Sequence, residues 1–378
     1  MSGTDSLRTA KPRSDERVSY SGDEITASRL QHAVDIIEAS FTRWPAIETG
    51  VPAVEHLRWK LEYPGWAPNE LVMETAERVE VGVYLRVHRV FRIGRRSYRV
   101  RDWQDSCIHP NYQGLGLFSR QSWVNETLHD YDFSFWSSIN PRIMARAPLE
   151  SVDLGRDLRA FVKPIASSEE LARRLVPAAR SGLRKRVFWT AISAARALGA
   201  IKRPPAPTNE RLQIQHSREV EEILDLFTAC LNGIPQPSGL FQERSRDYLQ
   251  WRYCDPRTGR TSVLAALENG EPRGMAVCKT SGDIGLLIEL LADPCRLDVA
   301  SELIAAANEL LADRGVAAVV CRVPRDSPFL KVLGSHGYIR APLQTGCLLS
   351  PDRIGAAELR DLLKGRTHHI MMGDFDWA

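Results

Sequence analysis

The sequence predicts a mixed α/β fold of two similar units, each a mixed, mostly antiparallel sheet flanked by helices. Three observations predict it. Strand-like and helix-like apolar periods alternate along the chain, the surroundings of one tryptophan recur around a second, and two glycines mark the passage from a long strand into a helix.

Taken in order, residues 1–17 are polar and charged and read as a disordered tail without the apolar core of a signal peptide. Leu30, Val34, Ile37 and Phe41 then repeat at helical spacing. The box His56-Leu57-Arg58-Trp59-Lys60 follows, then strand-like runs Leu71–Glu74, Val79–Phe91 and Ser97–Ile108, with a turn at Gly94-Arg95-Arg96. A helix over about 116–129 and a strand over Asp132–Ile139 complete the first unit.

The same plan returns further on. Val220, Leu224, Phe227 and Leu231 form a second apolar stripe, and Tyr248-Leu249-Gln250-Trp251-Arg252 parallels the first tryptophan box. Gly82 and Gly274 each fall 23 residues after their tryptophan. Strands Val263–Leu267 and Ile284–Ala292, a helix near 297–313, strand Ala317–Val323 and a helix near 328–335 follow. The expected domains are therefore 18–165 and 210–378, joined by a basic helical connector at 166–209.

Bulk properties narrow the function. A chain of 378 residues exceeds one ordinary core and suits two domains, and 43% hydrophobic with 26% charged residues is a globular composition. A net charge of +3 does not suit a dedicated nucleic-acid binder, so no nucleic-acid partner is expected. Seven cysteines form no Cys-x-x-Cys pair and leave an odd count, which points to no zinc site, no disulfide framework and a reducing, cytoplasmic location. No run approaches the roughly 18 apolar residues of a membrane span.

The chemistry is concentrated in Ile108-His109-Pro110-Asn111-Tyr112-Gln113-Gly114-Leu115-Gly116-Leu117-Phe118. With no side chains at Gly114 and Gly116, a pyrophosphate can lie against backbone N–H groups where the helix offers unpaired donors and a positive dipole end. Neither a Gly-x-x-x-x-Gly-Lys-Ser/Thr loop nor a Gly-x-Gly-x-x-Gly with a downstream acidic residue occurs. The segment resembles the cofactor motif of the GNAT (Gcn5-related N-acetyltransferase) superfamily. That resemblance implies an acyl-CoA co-substrate, acetyl-CoA or another acyl-CoA. It also implies pantetheine contacts from Cys107 and Ile108, pyrophosphate contacts from Gln113, Gly114, Leu115, Gly116 and Leu117, and a further contact from Asn140.

Aligning Pro110 with Pro294 sets the glycine turn against Leu297-Asp298-Val299-Ala300, where side chains and the Asp298 carboxylate would oppose a phosphate. The chain thus looks like a tandem GNAT protein with a degenerate second unit. Such chains are associated with bacterial polysaccharide or natural-product gene sets, and the ending Gly373-Asp374-Phe375-Asp376-Trp377 is similar to a tail found in them.

For the reaction, Asp105 is expected to act as base or amine-orienting group, against the alternative of a structural carboxylate paired with Arg99 or Arg101. Asp102 is the other acidic candidate on that strand. The tyrosine that protonates the leaving thiolate in many GNAT enzymes has no counterpart after Asn140, leaving water, Cys107, or no acid. His109 is expected to be a solvated turn histidine, His368-His369 a surface pair unsuited to a metal, and Asp374 with Asp376 a polar chain end. The absence of a nucleophile-elbow pattern favours direct transfer in a ternary complex.

Leu171–Asn209 carries no acidic residue but nine cations, with the apolar centre Val187-Phe188-Trp189-Thr190-Ala191-Ile192. It is expected to dock between the units. Peripheral contact with the inner membrane face through 180–203 is the alternative. The expected activity is acyl transfer to a primary amine of a small metabolite, amino sugar or polysaccharide precursor. A FemAB-like aminoacyl transferase and a non-catalytic module binding CoA or a partner are the alternatives.

Overall fold

The computed structural model describes residues 14–41, 44–45, 49–117, 130–137, 152–153, 158–165, 211–217, 219–259, 261–344 and 347–374. They form two mixed sheets. The first runs β1 (Ser14–Ser21), β2 (Glu70–Ala76), β3 (Val79–Ile93), β4 (Arg96–Ile108), β5 (Phe133–Ser137), β15 (Cys347–Pro351), β6 (Val152–Asp153). The second runs β8 (Leu212–Ser217), β10 (Thr261–Glu268), β11 (Glu271–Ser281), β12 (Ile284–Ala292), β13 (Ala318–Pro324), β7 (Leu158–Pro164), β14 (Ile339–Gln344). Short β9 (Leu240–Gln242) adds to the far end of β3.

The two orders match position by position. In each, four antiparallel strands lead to a parallel pair, β4 with β5 and β12 with β13. Each half also lends a strand to the other. β7 inserts between β13 and β14, while β15 inserts between β5 and β6. The sheets therefore do not divide at residue 165, because the backbone groups of β7 find their partners in the far sheet. Residues 14–17, expected in a disordered tail, instead belong to β1, which pairs with β2 and satisfies that strand's edge. Residues 1–13, most of the 116–129 helix and nearly all of the connector lie outside the described residues.

The helices follow the apolar periods. α1 (Ala27–Ser40) is capped by the Thr26 hydroxyl and buries Leu30, Val34 and Ile37; Phe41 falls beyond its end and is exposed. α2 (Ala53–Leu61) carries Trp59, and α3 (Val220–Gly233) buries Leu224 and Phe227. α4 (Arg246–Leu249) runs into a wider π-type turn, Gln250–Cys254. α5 (Leu297–Asp313), α6 (Leu330–Ser335) and α7 (Ala356–Leu363) complete the set.

The principal core belongs to both halves. Leu30, Ile37, Leu57, Val83, Leu85 and Cys107 of the first pack with Leu224, Phe227, Tyr248, Met275 and Ile288 of the second. At its centre Trp59 and Trp251 stack with ring centroids 4.4 Å apart and planes 7° from parallel. Trp59 Nε1 donates to the Trp251 carbonyl at 3.0 Å, and Trp251 Nε1 donates to the Trp59 carbonyl at 2.8 Å. Residues equated by sequence spacing thus meet across the junction and exchange the same bond.

Trp59→Phe and Trp251→Phe should each cost about 1–3 kcal/mol, since each leaves a partly buried carbonyl without its donor. In urea denaturation the double variant should lose less than the sum, because the two bonds share one stacked pair.

Candidate active site

β3 and β4 keep regular register until Leu85 faces Gln104; beyond a bulge, Val83 faces Cys107. Two residues, Asp105 and Ser106, stand opposite Tyr84, and Asp105 takes φ +49°, a left-handed conformation that costs a non-glycine residue about 1–2 kcal/mol. Its carboxylate is held where the bulge points it. Lys60 Nζ of α2 lies 2.6 Å from Oδ2, and Trp44 Nε1 donates to Oδ1 at 2.8 Å. All three sit at the edge of the shared core, with Lys60 and Asp105 buried.

The partner of Asp105 is therefore Lys60, not Arg99 or Arg101. Arg101 instead lies against Ser134 and Asp352. Asp102 is buried completely and paired with Arg89 at 2.7 Å, with Gln104 Nε2 donating to the same oxygen. This makes it a strut of the core. Cys107 lies in the principal core, and burial pushes its thiol up to about 12, the hydrogen bond with Ser40 offsetting only part of the rise. Such a thiol is some three units too weak an acid to donate readily to a leaving thiolate of ordinary pKa.

The glycine turn is anchored from below. Ile108 and Leu117 are buried with Ala76 and Val81, and Tyr112 and Leu115 pack on them. Pro110–Tyr112 forms a single 3₁₀ turn, and His109 Nδ1 accepts from Asn111 N at its start. Gly114 and Gly116 then adopt φ +81° and +79°, and a Cβ added at Gly114 would meet no atom within 4 Å. At Gly114 the turn thus presents backbone to open space, three residues before the helical Leu117. Gln113 N donates to the Pro110 carbonyl at 3.2 Å, and the Gln113 side chain donates to the Ile108 carbonyl at 2.9 Å, which Ser40 Oγ also reaches at 3.1 Å. That carbonyl is occupied from within the protein. Asn140 lies outside the described residues.

Beside this turn the sheet opens. The β4–β5 ladder covers Val100–Trp103 against Phe133–Trp136 and stops, leaving Gln104–Ile108 unpaired on that side among the described residues. The corresponding β12–β13 ladder likewise stops at Leu287 and Cys321. There the chain's own carboxyl-terminal segment fills the opening: Leu290 N bonds Met371 Sδ at 3.1 Å, and Met371 is buried with residues of both strands. No residue from Pro294 to Ala300 has positive φ, and Arg296 clasps Asp298 at 2.8 Å over the first turn of α5.

Near the carboxyl terminus Asp374 is internal rather than a polar chain end, and His368 and His369 are half-buried and hydrogen-bonded rather than a free surface pair. Asp374 is fully buried against Arg244 at 3.0 Å, and its carbonyl accepts from Arg89 at 2.6 Å. His369 Nε2 meets Glu289 Oε1 at 2.6 Å, and His368 Nδ1 accepts from Leu240 N. Asp376 lies outside the described residues.

Lys279, Lys60, Arg252 and His56 carried no local sequence signal as a group, yet they cluster near the tryptophan pair. Arg252 lies over both rings, 5.5 and 5.7 Å from their centroids. Burial, then the Arg252 charge, lowers Lys279 to about 7. Burial also drives His56 well below its ordinary value, helped by Lys60, Lys279 and Arg252.

Comparison with known proteins finds no matching family model and no matching curated sequence. Solved structures do match. Saccharomyces cerevisiae N-myristoyltransferase with bound myristoyl-CoA and inhibitors aligns with a TM-score of 0.57 and 12% identity, over 90% of this chain and 81% of its own. A GCN5-related N-acetyltransferase from Anabaena variabilis gives 0.54 and 11%, over 88% and 72%. A probable N-acyltransferase from Enterococcus faecalis gives 0.53 and 10%, over the same shares. The fold is that of the GNAT-like N-acyltransferases. In this GNAT-like frame, the parallel strands whose opening adjoins the glycine turn are β4 and β5. No helix among the described residues is long and apolar enough to cross a membrane.

The lysine cluster sets a pH dependence. The folded protein holds Lys279 neutral where the unfolded chain protonates it, so stability should rise with pH from about 7 towards 10 and be lowest below 7. Lys279→Met should flatten that rise and stabilise the protein at pH 6 by a few kcal/mol, read from urea midpoints across the pH range.

Proposed function

We propose that this protein is an acyl-CoA-dependent N-acyltransferase whose co-substrate lies on the turn Gln113–Leu117. The observation that carries the proposal is the pair of left-handed glycines, with open space at Gly114, beside the stretch of β4 that has no partner on its β5 side among the described residues. Successive backbone N–H groups and a helix start there suit a pyrophosphate. The opening between β4 and β5 suits an extended arm that hydrogen-bonds to strand backbone. With the Ile108 carbonyl engaged by Gln113 and Ser40, that arm would depend on the other free groups of Gln104–Ile108.

Acyl-CoA supplies an activated thioester. The remaining chemistry falls to residues at the bulge. Asp105 is fixed by Lys60 and Trp44 and keeps lone pairs with which to orient an incoming amine and hold its proton. With Cys107 too weak an acid, a thiolate leaving without protein assistance is the simpler route. The acceptor favoured is a primary amine of a small metabolite, amino sugar or polysaccharide precursor, acylated directly in a ternary complex.

The second unit is the degenerate one in this proposal. Its turn lacks glycines, its helix start is covered by Arg296 and Asp298, and Met371 occupies its opening. A specific observation favours one other reading: Asp105 is tied into an ion pair and Cys107 is inert, which would suit a CoA-binding module without turnover.

Thermal-shift titration with CoA, acetyl-CoA and longer acyl-CoAs tests the site, since a ligand that binds only the folded state raises the midpoint. Gly116→Asp should abolish the shift. The matching position Ala300 is fully buried, so Ala300→Asp would unfold α5; exposed Leu297→Asp is the proper control and should leave the shift intact. No shift with any thioester sinks the acyl-CoA proposal. Given turnover, Asp105→Asn should lower kcat at least tenfold with little change in the KM for acyl-CoA. Binding without turnover on any amine would favour the non-catalytic module.

A further inference from the structure

A cavity of about 230 Å³ opens between the ends of β12 and β13, walled by Leu291, Val323, Pro324, Phe329 and Met371, with His369 on its lining. No lysine, arginine, aspartate or glutamate lines it among the described residues. Gln236, Ser238, Ser327, Thr367 and His368 also contribute to the lining, and His369 is the member held from behind by a buried carboxylate. Glu289 is fully buried and receives Arg244 Nη2 at 2.6 Å, Arg244 Nε at 3.1 Å and the Tyr253 hydroxyl at 2.9 Å, all on Oε2. Burial alone would raise Glu289, yet Arg244 and then His369 hold it below the usual carboxylate range. An ionised carboxylate can only accept, so the proton between Glu289 Oε1 and His369 belongs to Nε2. Nδ1 is left with no partner among the described residues.

We propose that this cavity is a second ligand site, taking a small uncharged alcohol or phenol whose apolar body fills the walls and whose hydroxyl hydrogen-bonds with His369 Nδ1. Size supports it: a dry cavity of about 150 Å³ accommodates benzene, so 230 Å³ admits a ring with a substituent. Charge supports it too, because Arg244, Glu289 and Asp374 behind the wall are paired with one another and none of them is on the lining. The site is separate from the acyl-CoA turn. Cys107 faces Val83 on β3, whereas Phe241, which bridges to His369, faces Arg92 nine residues along the same strand, roughly 30 Å away at 3.3 Å per residue.

The test is calorimetric titration of the full chain with benzyl alcohol and with toluene, paired with nitrogen NMR of histidine-labelled protein. Benzyl alcohol should bind saturably and more tightly than toluene, although toluene is the more apolar, and should shift the Nδ1 resonance of His369. Ala292→Phe, which fills the cavity without removing any group of the Glu289 network, should abolish this binding. The acyl-CoA thermal shift should be unchanged at saturating benzyl alcohol. Tighter binding of toluene, no saturation by the alcohol, an unmoved Nδ1 resonance, or undiminished binding to Ala292→Phe overturns the proposal. Each outcome is read without reference to acyl transfer, so failure here and failure of the acyltransferase assignment are distinct.

Discussion

Trp59 and Trp251 lie face to face at the middle of the molecule, each indole donating to the other's backbone carbonyl. A reciprocal pair of this kind constrains orientation as well as distance, because both bonds and the stack fail together if either tryptophan-bearing element rotates. The elements carrying the rings, α2 and the π-type turn after α4, are thereby set back to back. The apolar faces of both sheets close over them as one core. Neither half can bury that surface alone, and the exchange of β7 and β15 ties the two together again at the sheet level.

A buried polar network extends this junction. Asp102, Arg89, Gln242, Arg244, Glu289 and Asp374 run from the first sheet to the second, each ion matched by opposite charge or by a hydrogen bond. Such groups lose much of their Coulombic gain to desolvation, so their contribution is better understood as registry than as net stability. An alternative packing would strand an ion in the core. The network also explains why the carboxyl-terminal segment lies where it does: Asp374 is drawn to Arg244, and Met371 is carried into the opening between β12 and β13.

That placement gives two equivalent openings different fates. Beside β4 the strand edge has no partner beyond Trp103 among the described residues, and the adjoining turn holds two left-handed glycines. Beside β12 the edge is covered by the chain itself and the turn is clasped by its own ion pair. The same topology thus yields one strand edge with no partner among the described residues and one covered by the carboxyl-terminal segment, with a small cavity beside the cover.

The sequence by itself determined the features that depend on near neighbours. Helical stripes, strand alternation, the glycine turn and the equivalence of the two tryptophan boxes are relations among residues a few positions apart, and the structure contains α1, α3, α5 and β12 where those periods lie. Only the tertiary structure decided which charges meet. Lys60 reaches Asp105 across 45 positions, His369 reaches Glu289 across 80, and Arg244 reaches Asp374 across 130. For that reason Asp374 looked like a polar chain end and His369 like a surface residue, and the structural alternative for Asp105 looked to its neighbouring arginines. A carboxylate's partner is set by which strands and helices the core brings together, and the bulge that aims Asp105 at Lys60 is a product of that packing, invisible to alternation along one strand.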